Sequence, residues 1–192
     1  ATETMHIDGP DSERGVIFQQ YALFPWLTVE KNIQFGLKCK KLPKQEIKQI
    51  SDHYIDMVGL NDFKDSFPKE LSGGMKQRVA VARAYAMNPK LLLMDEPFGA
   101  LDAQTRTQLQ SELLNMWEKE HKTCFFITHD VEEAVLLAQQ VIIMSARPGR
   151  IKEIVDIDIP YPRTQKTKLD KKFTDYKNEI WEEVYQEYLE QR

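Results

Sequence analysis

Leu71–Asp102 reads LSGGMKQRVAVARAYAMNPKLLLMDEPFGALD, and its reading decides the fold. Ser72 stands where a helix cap is expected, Gly73-Gly74 follow, and an alanine-rich run leads to Asn88-Pro89, a helix stop. Leu91–Met94 is an apolar run of strand length, closed by Asp95-Glu96-Pro97 and then Gly99-Ala100-Leu101-Asp102. The helix start offers unpaired amides and the positive end of a dipole to an oxyanion. Carboxylates at the end of a buried strand can hold a hard divalent cation and polarise an attacking water. Each feature alone is ordinary: a Ser-Gly-Gly turn is usually a capped loop, and a strand-end acid pair is usually just solvated. Side by side, they point to phosphate chemistry.

Working outward, Gly15–Phe18 reads as a buried strand with Gln19-Gln20 at its end, where ligands sit in open α/β sheets. Residues 3–8 read as a short edge strand. An aromatic cluster, Tyr21–Trp26, follows Gln20. Thr28 caps a helix to about Leu37 with Val29, Ile33 and Leu37 on one face. Pro43 opens a second helix bearing Ile47, Ile50, Tyr54, Ile55, Val58 and Leu60, and residues 61–70 read as a loop. Residues 28–70 thus form a small, mainly helical insertion between core strands.

Downstream, Asp102 caps a helix to about Glu120 with Leu109, Leu113 and Met116 on one face. Residues 123–128 read as a buried strand with His129-Asp130 at its end, residues 131–139 as a helix, and residues 141–144 as a strand. Pro148-Gly149 then turns into residues 150–159. This alternation predicts an α/β fold with a parallel sheet covered on both faces. Residues 166–192 read as an amphipathic helix bearing Leu169, Phe173, Tyr176, Ile180, Val184 and Tyr188, packed on its own domain.

The 192 residues are 42% hydrophobic and 29% charged with net charge -4, which gives no footprint for a nucleic-acid partner. Cys39 and Cys124 lack metal-ligand spacing and read as two reduced thiols. No apolar run approaches the roughly 18 residues of a membrane span, and no stretch has the pattern of a signal peptide.

LSGGMKQR, LLLMDEP, GALD, ITHD and VIFQQYALFPW resemble the ATP-binding-cassette (ABC) ATPases, over essentially the whole chain to about residue 163. Met75, Pro25-Trp26 and the run Met144–Ile151 are similar to the nitrate/sulfonate/taurine importer branch. The resemblance implies a P-loop NTPase (RecA-like) core over residues 1–163, a helical subdomain at about 20–75 within it, and a C-terminal amphipathic helix at 164–192. It implies ATP and Mg²⁺ as cofactors and a homodimer of ATPase subunits. The dimer would sit peripherally on the cytoplasmic membrane face, docking transmembrane permease subunits near Gln19–Trp26 and serving a solute-binding protein indirectly.

By the same resemblance Gln19 senses Mg²⁺ and water, Asp95 supports Mg²⁺, and Glu96 is the catalytic base. Ser72, Gly73 and Gly74 contact the γ-phosphate of a nucleotide held by the other protomer. Asp102 crosses the dimer interface, and His129 contacts the γ-phosphate.

One family element is absent from these residues. The eight glycines stand at 9, 15, 36, 59, 73, 74, 99 and 149, and none completes the phosphate-cradling G-x-x-x-x-G-K-[ST]. The resemblance places that loop, and an adenine-stacking aromatic, upstream of Ala1. The expectation is therefore an N-terminally truncated ATPase that alone neither binds ATP tightly nor hydrolyses it, and that is marginally stable, swapped or associated. The alternative is a non-catalytic module that docks a permease and lends Ser72–Gly74 to an intact partner. An ABC protein of DNA repair or translation fits less well, because Gln19 to Ser72 leaves no room for a long coiled coil.

Overall fold

The computed structural model describes residues 13–189. The expected edge strand at 3–8 lies outside them. The chain divides into two compact units, Ala1–Pro97 with Lys122–Phe125, and Phe98–His121 with Phe126–Arg192.

In the first unit, β1 (Arg14–Ile17) pairs in parallel with β2 (Leu91–Asp95), in a register that sets Ile17 beside Met94. β3 (Thr123–Ile127), whose first three residues belong to this unit, is the next strand after β2, so β2 is central. Gly15 is required by close approach: a Cβ there would stand 2.9 Å from Leu92 Cδ2 and 3.2 Å from Pro89 Cγ.

Between β1 and β2 run α1 (Val29–Cys39), α2 (Lys44–Met57) and α3 (Gly73–Ala86), which pack on one another. Thr28 Oγ1 caps α1 by accepting from Lys31 N at 3.3 Å. Of the anticipated apolar faces, Val29, Ile33 and Leu37 on α1 and Ile47, Tyr54 and Ile55 on α2 are buried, while Ile50 is half-buried. At Gly36 a Cβ would stand 2.2 Å from Met87 Sδ, so glycine lets α1 pass the end of α3. The expected loop at 61–70 contains two 3-10 turns, Asn61–Phe63 and Pro68–Glu70. The second is fastened by Glu70, whose carboxylate accepts from Phe67 N at 2.6 Å.

The second unit contains α4 (Ala103–Glu120), α5 (Val131–Leu137), β4 (Gln140–Met144), β5 (Ile151–Asp156) and α6 (Lys171–Leu189). Its core joins Leu114, Val135, Leu136, Ile143, Val155, Ile157, Phe173 and Ile180. Arg163, 3% exposed, is spent on backbone: it donates to the carbonyls of Val135, Leu136, Ala138, Ile157 and Ile159, closing the C-terminus of α5. Burial pulls its guanidinium below the usual arginine value.

The structure corrects several expectations. β4 and β5 form a separate antiparallel pair and do not continue a parallel sheet. The six-residue link between them suits a hairpin and is too short for a parallel crossover. Ser145 ties that turn: its N donates to Arg150 O, and its hydroxyl donates to Pro148 O while accepting from Arg150 N. The strands read as buried on both faces are buried on one or neither: Ile17 is 1% exposed, but Val16, Phe18, Phe125 and Ile127 are 41–50% exposed. Residues 165–169 form a 3-10 turn, so the C-terminal helix starts at Lys171, and Leu169 is 85% exposed. α6 packs on α5 through Phe173 and Ile180, and leaves Trp181, Val184, Tyr185 and Tyr188 exposed.

Candidate functional site

Two parallel strands that end together bring their following residues together. Gln19 and Glu96 each lie two residues beyond the register pair Ile17–Met94, and Gln19 Nε2 donates to Glu96 Oε2 at 3.1 Å. Asp95, the last residue of β2, is exposed and immediately precedes Glu96 in the chain. Glu96 has φ 41°, in the left-handed region that a non-glycine residue enters at a cost. The backbone turn after β2 therefore points Glu96 at a place the strand direction alone would not give.

Gln19, Asp95 and Glu96 offer a carboxamide and two carboxylates at these strand ends. Those hard oxygen donors fit a Mg²⁺ ion that keeps waters and phosphate oxygens as its other ligands. Among the described residues, no group of three His, Cys, Asp or Glu could hold a metal ion.

Ser72, Gly73 and Gly74 open α3. Ser72 Oγ accepts from Met75 N at 3.3 Å, Ser72 is exposed, and Gly74 is buried. A 14-residue helix thus presents its first amides behind a side chain too small to screen them.

The other two predicted residues lie in the second unit. Asp102 caps α4, accepting from Gln104 N and Thr105 N at 3.1 and 3.0 Å, and the Thr105 hydrogen bonds hold its carboxyl below the usual value. His129 is exposed after β3. It lines an open cleft with Asp130, Val131, Glu132, Lys177, Asn178 and Trp181.

Sequence reasoning missed Asn32. It is fully buried, and its Nδ2 donates to the carbonyls of Phe24, Leu27 and Thr28 while its Oδ1 accepts from Phe24 N. A polar residue on the apolar face of α1 was the available signal. Asn32 folds the segment after Gln20 onto α1. Arg83 fastens the same segment from α3, donating to Ala22 O at 2.9 Å and lying over the Phe24 ring at 5.5 Å. Trp26 remains 70% exposed at its tip, and Phe35 is 42% exposed.

The model of the family described as ABC transporter matches residues 3–99. The chain is 58% identical to an ATP-binding protein of Brucella abortus, over 93% of this chain and 69% of that one. It is 47% identical to the nitrate import ATP-binding protein NrtD of Synechocystis, over 91% of this chain and 68% of that one. Among solved structures, it resembles a dimeric post-hydrolysis state of the ATP-binding cassette MJ0796 bound to ADP and Pi. The TM-score is 0.64 and the identity 31%, over 77% of this chain and 64% of that one. The chain thus spans about two thirds of the length of these relatives.

It belongs to the ABC transporter family, whose members are ATPases with the P-loop NTPase α/β fold, and its relatives include ATPases of importers.

Proposed function

We propose that the chain is the larger part of the ATP-binding subunit of an importer, coupling ATP hydrolysis to uptake of a small solute such as nitrate, a sulfonate or taurine. The observation that carries this reading is the Gln19–Glu96 hydrogen bond at the ends of two parallel strands. Glu96 takes the proton of the attacking water, and Gln19 orients Glu96 and that water. Gln19 and Asp95 are the residues that would hold Mg²⁺, which when bound neutralises charge on the phosphate oxygens.

The Ser72–Gly74 amides face the γ-phosphate of a nucleotide held by another protomer. Asp102 reaches across the same homodimer interface, and His129 contacts the γ-phosphate of its own site. Residues 1–163 act as the ATPase domain, with the helical subdomain at about 20–75 and the C-terminal helix at 164–192. The Gln19–Trp26 segment docks the permease at the cytoplasmic membrane face, and the exposed Trp26 supports that role. A solute-binding protein acts indirectly, and nucleic acid has no part.

Within these 192 residues nothing supplies the phosphate-cradling loop, so they alone bind ATP weakly and do not turn it over. Calorimetric titration of ATP-Mg²⁺ into the chain tests this, and micromolar affinity would refute it. Reading the gene upstream of the Ala1 codon tests the catalytic assignment: an in-frame G-x-x-x-x-G-K-[ST] supports it, and a start codon at that point favours a non-catalytic permease-docking module.

A further inference from the structure

Arg106 stands four residues after Asp102, one turn into α4, and its guanidinium is shared among three places. Nη2 donates to Leu101 O at 3.2 Å, in the loop before Asp102. Nη1 lies 3.6 Å from Asp130 Oδ2, beside His129. Nε lies 3.8 Å from Glu133 Oε1, an ion pair rather than a hydrogen bond.

Glu133 is 4% exposed and fully engaged. It accepts from Thr128 Oγ1 at 2.8 Å and from Gln110 Nε2 at 3.2 Å. Thr128 Oγ1 in turn accepts from Asp130 N at 3.0 Å, and Asp130 Oδ1 caps α5 by accepting from the amides of Glu132 and Glu133. Leu101-Asp102 and Thr128-His129-Asp130 therefore hang from one cation and one buried carboxylate.

Stability is a poor reason to keep such a group. Glu133 is the buried charge of the group, whereas Arg106 and Asp130 are each a third exposed. Apolar side chains of like volume often serve a core as well as buried ions, and the best-attested use of a buried charge is to fix a register. We infer that Arg106 and Glu133 are positioning residues that couple the Asp102 segment to the His129 segment, so that displacing either one displaces the other. The functional meaning rests on the reading of Asp102 and His129 above. The coupling itself does not.

Hydrogen exchange on this chain, without nucleotide, separates the two. Arg106→Gln is expected to speed exchange at Gln104 and Thr105, bonded to Asp102, and at Glu132 and Glu133, bonded to Asp130, together. The size is roughly tenfold, within the range that coupled contacts give. Arg106→Lys recovers part of the protection. Glu133→Gln, which keeps partners for Thr128 and Gln110, reproduces the effect, and the double Gln variant adds nothing further. A response confined to one of the two segments, or additive effects in the double variant, overturns the coupling. Should Arg106→Gln not fold, Asp130→Asn provides the reading at a distance: faster exchange at Gln104 and Thr105 supports the coupling, and unchanged exchange there refutes it.

Discussion

Gln19 Nε2 and Glu96 Oε2 lie 3.1 Å apart across 77 residues of sequence, each two positions past the paired residues Ile17 and Met94. A parallel ladder of four residue pairs fixes that approach, so neither side chain has to search for the other. The contact turns two separate sequence expectations into one geometric object. It also sets the first test. In a subunit that carries a phosphate loop, Glu96→Gln is expected to lower the hydrolysis rate by about 10²–10⁴-fold, the usual worth of a general base, with nucleotide affinity retained. A single-turnover assay beside a nucleotide titration reads both, and unchanged hydrolysis removes Glu96 from the role.

Ser72 has a capping role and a proposed nucleotide-facing role, and the two can be pulled apart. As N-cap of α3 it holds Met75 N, and Ser72→Ala is expected to cost about 1 kcal/mol in chemical denaturation. Ser72→Asp keeps a cap and brings a negative charge to the anion-facing turn. That variant should match the parent in stability yet fail to support hydrolysis in a mixed dimer. Equal loss of stability in both variants would argue for capping alone.

Asn32 is the buried hinge of the aromatic segment. Asn32→Leu leaves Phe24 N without its acceptor and Leu27 O without its side-chain donor, while the carbonyls of Phe24 and Thr28 keep the backbone amides of Leu27 and residue 32. A loss of about 1–3 kcal/mol is expected. The loss should come with faster exchange at Phe24 N and, by the proposed docking role, weaker permease capture. Preserved protection at Phe24 would show that Arg83 alone secures the segment.

The two thiols should behave differently. Cys39 is exposed, whereas burial pushes the Cys124 thiol up to about 11 against an ordinary 9.0. Alkylation of the folded chain at pH 8 is expected to label Cys39 and spare Cys124, as read by peptide mass spectrometry. The raised value also fixes a sign. Between pH 9 and 11 the unfolded thiol ionises while the folded one stays protonated, so Cys124 makes stability fall as pH rises through that window. Cys124→Ala should flatten the fall.

Asp102 gives the opposite sign. Its carboxyl titrates below 3.8 when it caps α4, so its contribution is present at neutral pH and is lost as acid takes it through the lower folded value. Asp102→Asn should keep the cap and remove the acid-dependent part. A pH–stability profile identical to the parent would deny the carboxylate that role.

Much of the site was legible because its signals are local. Ser72, Thr28 and Asp102 are caps, and a cap needs only its own side chain and the next two or three amides. The apolar faces of α1, α2 and α4 follow from 3–4 spacing. Two residues were missed. Asn32 carried the signal of a polar residue on an apolar helix face, which does not say that its amide will be met by Phe24, Leu27 and Thr28, and nothing near Arg106 says that Asp130 and Glu133 will stand opposite it, 24 and 27 residues on.

The sequence by itself determined the family, the order of the elements, their caps, and the placing of Gln19, Asp95, Glu96 and His129 at strand ends, since these depend on neighbours in the chain. Only the tertiary structure decided that β4 and β5 leave the parallel sheet as a hairpin, that Gln19 meets Glu96, and that α6 buries Phe173 and Ile180 while exposing Trp181 and Tyr188. An apolar residue is equally apolar on either face of a strand or helix. Which face finds a partner is settled by what packs against it, and short-range pattern carries no record of that.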